Sequence, residues 1–186
     1  PTDFCPPLFV GVAICVYART YRPRYLSRPM SAQASSMPSA SPAPIPGYAL
    51  VTGASSGIGE RIAREYARRG VPLVLTARRA DRLHALAEEL RAQVAVEAVA
   101  ADLADPAAPI QLLHQAGRRG VRIRIRGNNA GYGMPGRYRS SDWAEHAAFM
   151  QVMTTAVCEL TWRLLPAIRA DGRGRILNVA SFAALM

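Results

Sequence analysis

The segment Thr52-Gly53-Ala54-Ser55-Ser56-Gly57-Ile58-Gly59 constrains this chain more than any other. It follows a short apolar run over residues 48–51. It precedes Ile62, Ala63, Tyr66 and Ala67, which recur at helical spacing before Gly70, a helix terminator. A strand, a glycine turn and a helix in that order can bring backbone up to a phosphate. Gly53 permits a tight turn, Gly57 leaves room where a pyrophosphate meets the chain, and Gly59 lets helix and strand pack closely. The start of the helix adds unpaired N–H groups and the positive end of its dipole. Three glycines alone are weak evidence, and a turn serving only the fold is the alternative; the placement between strand and helix carries the argument.

Downstream the pattern repeats. Residues 71–76 predict a second strand and residues 81–92 a helix with Leu83, Leu86 and Leu90 on one face. Residues 94–100, 121–126 and 175–179 predict three more strands, with helices over 107–116 and 141–170 between them. Strands and helices alternating at these lengths make βαβ units, hence an α/β fold with a parallel sheet covered by helices on both faces. At 186 residues there is room for one such domain, over residues 47–186.

Further motifs come in order: Asp102-Leu103 after the third strand, Asn128-Asn129-Ala130-Gly131 after the fourth, and Gly174-Arg175-Ile176-Leu177-Asn178-Val179-Ala180-Ser181 around the fifth. Together with the glycine turn, which fits TGxxxGxG, they resemble the short-chain dehydrogenase/reductase family across residues 47–186. The resemblance implies a Rossmann-type doubly wound sheet, here apparently truncated after the fifth strand. It implies hydride transfer between a nicotinamide cofactor and a small-molecule carbonyl or alcohol substrate, in a cytoplasmic homo-oligomer. It places the cofactor on Gly53, Ser55, Ser56, Gly57, Ile58, Gly59, Asp102, Leu103, Asn129, Ala130 and Gly131, and makes Ser181 the catalytic serine that polarises the substrate oxygen. For Asp102 a helix N-cap role stands beside adenine contact, and for Ser181 a buried strand-end hydroxyl. After the second strand the chain reads Ala77-Arg78-Arg79, with no acid to hold a ribose 2′-OH. Arg78 suits a 2′-phosphate, so NADP is expected over NAD; a solvated arginine pair is the alternative.

The family's general acid/base is a tyrosine whose pKa a lysine four residues on brings down. All 23 basic residues are arginine, and none of the seven tyrosines has that partner. Arginine is a poor substitute, being larger and held protonated. Met153 falls where the family carries an asparagine. The 186 residues are therefore expected to be catalytically inactive by themselves, which leaves a non-catalytic dinucleotide-binding or dimerising protein as the competing reading.

Arg122, Arg124 and Arg126 alternate through the fourth strand, where a central parallel strand is normally apolar on both faces. A solvated edge strand would accommodate them on one face. A net charge of +10 admits a basic nucleic-acid or membrane-surface binder, but no aromatic residues interleave the cluster and no nucleic-acid partner is expected. Residues 1–46 hold nine of the 14 prolines and read as a disordered leader or linker, with Met30 or Met37 as plausible starts. Its apolar stretch 8–18 is shorter than the about 20 residues that span a bilayer, so a short membrane anchor is the minority reading. Cys5, Cys15 and Cys158 indicate neither a disulfide framework nor a metal site. Trp143, Phe149, Trp162 and Leu164 are expected in the core or a dimer contact, and His84, His114 and His146 on exposed faces.

Overall fold

The computed structural model describes residues 47–134, 136–170 and 172–181. The leader expected over 1–46, its apolar stretch and its two cysteines lie outside the described residues. Five strands, β1 (Tyr48–Thr52), β2 (Leu73–Ala77), β3 (Val96–Ala100), β4 (Ile123–Asn128) and β5 (Arg175–Asn178), form one sheet in the order β3-β2-β1-β4-β5. Every pairing is parallel. The crossovers carry α1 (Gly57–Arg68), α2 (Ala80–Arg91), α3 (Ala108–Arg118), α4 (Trp143–Met150) and α5 (Ala156–Arg169).

The doubly wound architecture arises from strands apolar on both faces. In β1, Ala49 and Val51 enter one core cluster with Ala63, Ala67, Leu83 and Leu90 of α1 and α2. Leu50, between them, enters the other with Leu112, Leu160 and Leu164 of α3 and α5. Successive side chains point to opposite faces, so each face is covered by its own helix pair. Where strand order reverses, between β1 and β4, the carboxyl ends of the strands leave a crevice.

Several expectations need correction. β4 is not an edge strand: it lies between β1 and β5, with Arg126 in register with Leu50 and Ile176. Neighbours decide a strand's place in a sheet: β1 pairs with one edge of β4 and β5 with the other, so no edge of β4 is left open. Arg126 is completely buried, its Nε and Nη1 have no hydrogen-bond partner, and burial pushes its pKa down to about 9. Nor do the three arginines share a solvated face. Arg122 is exposed and precedes the strand, whereas Arg124 is buried and its Nη1 donates to the Ala167 carbonyl in the last turn of α5. The register slips opposite it, because Tyr48 aligns with Ile123 and Ala49 with Ile125.

The helix expected over 141–170 is interrupted by a π turn, Gln151–Thr155, joining α4 to α5. One residue inserted in the turn rotates α5 relative to α4, and Trp143 and Trp162 emerge 72% exposed, which excludes the core and leaves a dimer contact as their expected place. Leu164 is buried as expected, and half-buried Phe149 meets Tyr132 edge to face at 5.5 Å. His84 and His114 are exposed; His146 is half-buried, its Nε2 2.8 Å from the Tyr138 carbonyl oxygen.

Candidate functional site

The crevice is organised by Thr52, the last residue of β1. Its buried Oγ1 donates to the Gly127 carbonyl at 3.2 Å and accepts the N–H groups of Asn129 and Ala130, each at 3.1 Å. The Asn129 side-chain amide donates to the carbonyl oxygens of Thr52 and Gly53 at 3.0 and 3.2 Å. The glycine turn and the 128–131 loop are thus one hydrogen-bonded unit, although 75 or more residues of sequence separate them. Across the crevice, Asn128 Nδ2 donates to Asn178 Oδ1 at 2.7 Å and ties the end of β4 to β5.

The three glycines divide their work. Gly53 sits at φ +67°, and a Cβ there would lie 2.8 Å from the Ala130 Cα. A Cβ on Gly59 would meet Asn129 Nδ2 and the Gly53 oxygen, both at 2.3 Å. Its closeness therefore serves the 128–131 loop as well as the turn. Gly57 is different: it has φ +61° and nothing within 4 Å of a Cβ, so the space above it is open.

Electrostatics favour an anion in that space. Ser56 stands at the N-cap of α1, yet no side chain caps the helix. The Ser56 hydroxyl instead accepts from Arg79 Nη2 at 2.5 Å, and Ser55 Oγ lies 3.2 and 3.3 Å from Nη2 and Nε of the same guanidinium. The helix thus keeps its first-turn N–H groups and its positive dipole end toward the open side of Gly57. Arg78 is exposed, with Cζ 5.6 Å from the centre of the Tyr132 ring. An uncapped helix start, open room over a glycine and two arginines held by neutral partners suit a phosphorylated dinucleotide. Gly53, Gly57, Ile58, Gly59 and the two serines would hold its pyrophosphate, and Arg78 and Arg79 an additional phosphate.

The remaining expected residues take varied places. Ile58 is exposed on the first turn of α1. Asp102 is exposed past the end of β3, and its Oδ1 accepts the Ala104 N–H at 3.0 Å. It closes a turn and does not cap α3, whose N-cap is Ala107, so the N-cap alternative is withdrawn. Leu103 is 6% exposed and its side chain packs into the α3–α5 core. Ala130 is half-buried and Gly131 exposed at the rim. A Cβ on Gly131 would come within 2.9 Å of Met153 Sδ, so the π turn and the loop touch there. Ser181 is exposed beyond β5, which removes the buried-hydroxyl alternative. Two residues of the site are not legible in the sequence. The role of Thr52 depends on a partner strand it cannot reveal by itself, and nothing in the dipeptide Arg78-Arg79 says which guanidinium turns toward the serines.

A family model described as short chain dehydrogenase matches residues 47–186. Sulfoacetaldehyde reductase of Chromohalobacter salexigens is 35% identical over 136 residues, which cover 72% of this chain and 54% of that protein. Among solved structures, a short-chain dehydrogenase from Sphingobium yanoikuyae in complex with NADPH superposes with a TM-score of 0.65 at 40% identity. The match covers 71% of this chain and 52% of that one. L-Sorbose reductase from Gluconobacter frateurii, complexed with NADPH and L-sorbose, gives 0.65 at 33% identity, covering 70% and 50%. The chain spans about half the length of the relatives it matches.

Proposed function

The chain belongs to the short-chain dehydrogenase family, and from that premise we propose that residues 47–186 hold NADP(H) in the crevice and serve hydride transfer between it and a small-molecule carbonyl or alcohol. The observation that carries this reading is the anion cradle of Gly57, the uncapped start of α1, and Arg79 bridging Ser55 and Ser56. Relatives solved with NADPH support the choice of cofactor, and relatives named as reductases of sulfoacetaldehyde and L-sorbose support the substrate class.

In this reading Arg79 trades its serine partners for the 2′-phosphate, while Arg78 meets that group from the rim. Ala77, at the end of β2, offers no acid to a 2′-OH. The bound cofactor supplies the hydride. Asn129, Ala130 and Gly131 form the wall beside its nicotinamide half, rigid because Thr52 holds the loop. Ser181, exposed at the end of the crevice, polarises the substrate oxygen. Asp102 borders the adenine. Self-association is expected from the family and is tested by sedimentation equilibrium.

A second reading is favoured by one observation. The 186 residues contain no lysine, so none of their tyrosines is followed by the lysine of the family's tyrosine–lysine pair. These residues by themselves are expected to bind NADPH saturably without oxidising it against a panel of aldehydes and ketones. Titration by nucleotide fluorescence tests both halves. Arg79→Ala should weaken NADPH about ten- to a hundredfold, the worth of charge-assisted hydrogen bonds, and leave NADH within twofold. Equal loss for both nucleotides would overturn the assignment of Arg79, and absence of saturable NADPH binding would overturn the reading itself.

A further inference from the structure

The two consecutive arginines that follow β2 take different partners. Arg79 turns to the start of α1, where its N–H groups donate to the hydroxyls of Ser55 and Ser56. Arg78 reaches across the mouth of the crevice, its Cζ 5.6 Å from the centre of the Tyr132 ring. Tyr132 follows Gly131 beyond the end of β4, and β1 lies between β2 and β4 in the sheet. Neighbouring strands stand about 4.8 Å apart, so this contact bridges roughly 10 Å over the carboxyl end of β1.

The ring is the fixed member of the pair. Tyr132 is half-buried, packs against the α3–α5 core and meets Phe149 of α4 edge to face. Its backbone continues the loop that Thr52 and Asn129 bind to the glycine turn. Arg78 is exposed, with a long side chain that has much rotamer freedom to lose. A guanidinium within about 6 Å of a tyrosine ring is attracted to the ring's electrons. That attraction acts on the charge and spends no N–H donor, so the planar fork of the guanidinium can still meet a phosphate. Arg79 is held in the opposite way: its N–H groups are taken up by the serines and must leave them to serve an anion.

We propose that Tyr132 is a positioning residue for the 2′-phosphate of the nucleotide and acts through Arg78. The inference rests on the NADP(H) reading given above and adds to it the residue that orders the second guanidinium. The ring holds Arg78 over the crevice before the nucleotide arrives. Arg78 stays against the ring afterwards and donates its N–H groups to the phosphate. Less side-chain ordering is then left to be done on binding, which is how a preorganised site gains affinity. NADH has no phosphate at that position and gains nothing from the arrangement, so the ring contributes to the choice between the two nucleotides.

The test is titration of the full chain with NADPH and with NADH, beside Tyr132→Leu, Tyr132→Phe, Arg78→Ala and the double variant of Arg78→Ala with Tyr132→Leu. Tyr132→Leu keeps an apolar side chain against Phe149 but offers no ring to a cation. It should weaken NADPH about two- to fivefold, the worth of an exposed cation–π contact, and leave NADH unchanged. Tyr132→Phe, which keeps the ring, should bind NADPH as the parent does. Arg78→Ala should weaken NADPH about tenfold, and Tyr132→Leu added to it should cost nothing further, because the ring then has no guanidinium to hold. Unchanged NADPH affinity in Tyr132→Leu, an equal loss for NADH, failure of Tyr132→Phe to preserve binding, or a further loss in the double variant would each overturn the proposal. With parental NADPH binding intact, those outcomes leave the cofactor reading standing. Absence of saturable NADPH binding by the parent overturns that reading and this assignment with it.

Discussion

A methyl group added at Gly59 meets Asn129 Nδ2 and the Gly53 carbonyl oxygen at 2.3 Å, whereas one added at Gly57 meets nothing. The two glycines are two residues apart, and substitution at each should leave a different signature. Gly59→Ala must push the 128–131 loop away from the turn, so about 3 kcal/mol of folding stability is expected to be lost, as for other overpacked sites. Gly57→Ala costs only the strain of a left-handed backbone, about 1–2 kcal/mol. Its methyl group, however, stands in the space proposed for the pyrophosphate, so NADPH affinity should fall tenfold or more. Thermal unfolding and NADPH titration on the same two proteins separate these outcomes. Comparable stability losses would show that Gly59 is not the more tightly packed of the two. Sequence alone asked for a glycine at both positions, at Gly57 for the sake of a pyrophosphate. For Gly59 it named the strand as neighbour, because the contact with Asn129 joins segments that only the folded sheet brings together.

At the scale of the element, β4 is where local pattern and tertiary setting conflict. Arg126 has a strand's backbone and a strand's register, yet its guanidinium lies in an apolar layer with Nε and Nη1 unpartnered. Burying a charge without a partner costs several kcal/mol, so Arg126→Leu should stabilise the chain by at least about 2 kcal/mol. That corresponds to a rise in Tm of about 4–8 °C for a domain of this size. The pH dependence has a definite sign. In the folded chain the guanidinium is shifted down to about 9, below its value in the unfolded chain, so between those two values the unfolded state binds more protons. The cost of burial is present in full below about pH 9 and declines as pH rises above it. The advantage of Arg126→Leu should therefore be greatest at neutral pH and narrow in alkaline buffer, as chemical denaturation at pH 7 and pH 10 can show. A variant no more stable than the parent at neutral pH would mean that the charge is compensated. The alternation of arginines suggests an edge strand, since alternation ordinarily marks a solvated face. The strand's position is decided instead by its backbone pairing, with β1 on one edge and β5 on the other. The π turn between α4 and α5 is equally illegible: a period of 3.6 continues through residues 141–170, and a single inserted residue leaves little trace in it.

For the molecule as a whole, the two core clusters account for every strand of the sheet and for helices on both of its faces within residues 47–181. We propose that residues 47–186 are the folding unit and that the leader adds nothing to it. A chain beginning at Gly47 should unfold within about 2 °C of the full chain and bind NADPH with the same affinity within twofold. A larger shift in either would place part of residues 1–46 in the fold. Among the described residues no helix is long and apolar enough to cross a membrane, and no three metal-ligating side chains gather. Cys158, the one described cysteine, is free and exposed.

The sequence unaided determined whatever depends on near neighbours along the chain. The alternation of strands and helices, the parallel sheet, the glycine turn and the preference for a phosphorylated cofactor each rest on residues a few positions apart, where periodicity and backbone sterics act. The tertiary structure decided which segments meet: Thr52 bridging to the 128–131 loop, Arg79 rather than Arg78 on the serines, Arg126 inside and the tryptophans outside. Those outcomes depend on contacts across tens of residues, and desolvation and packing assign them only once the sheet has closed.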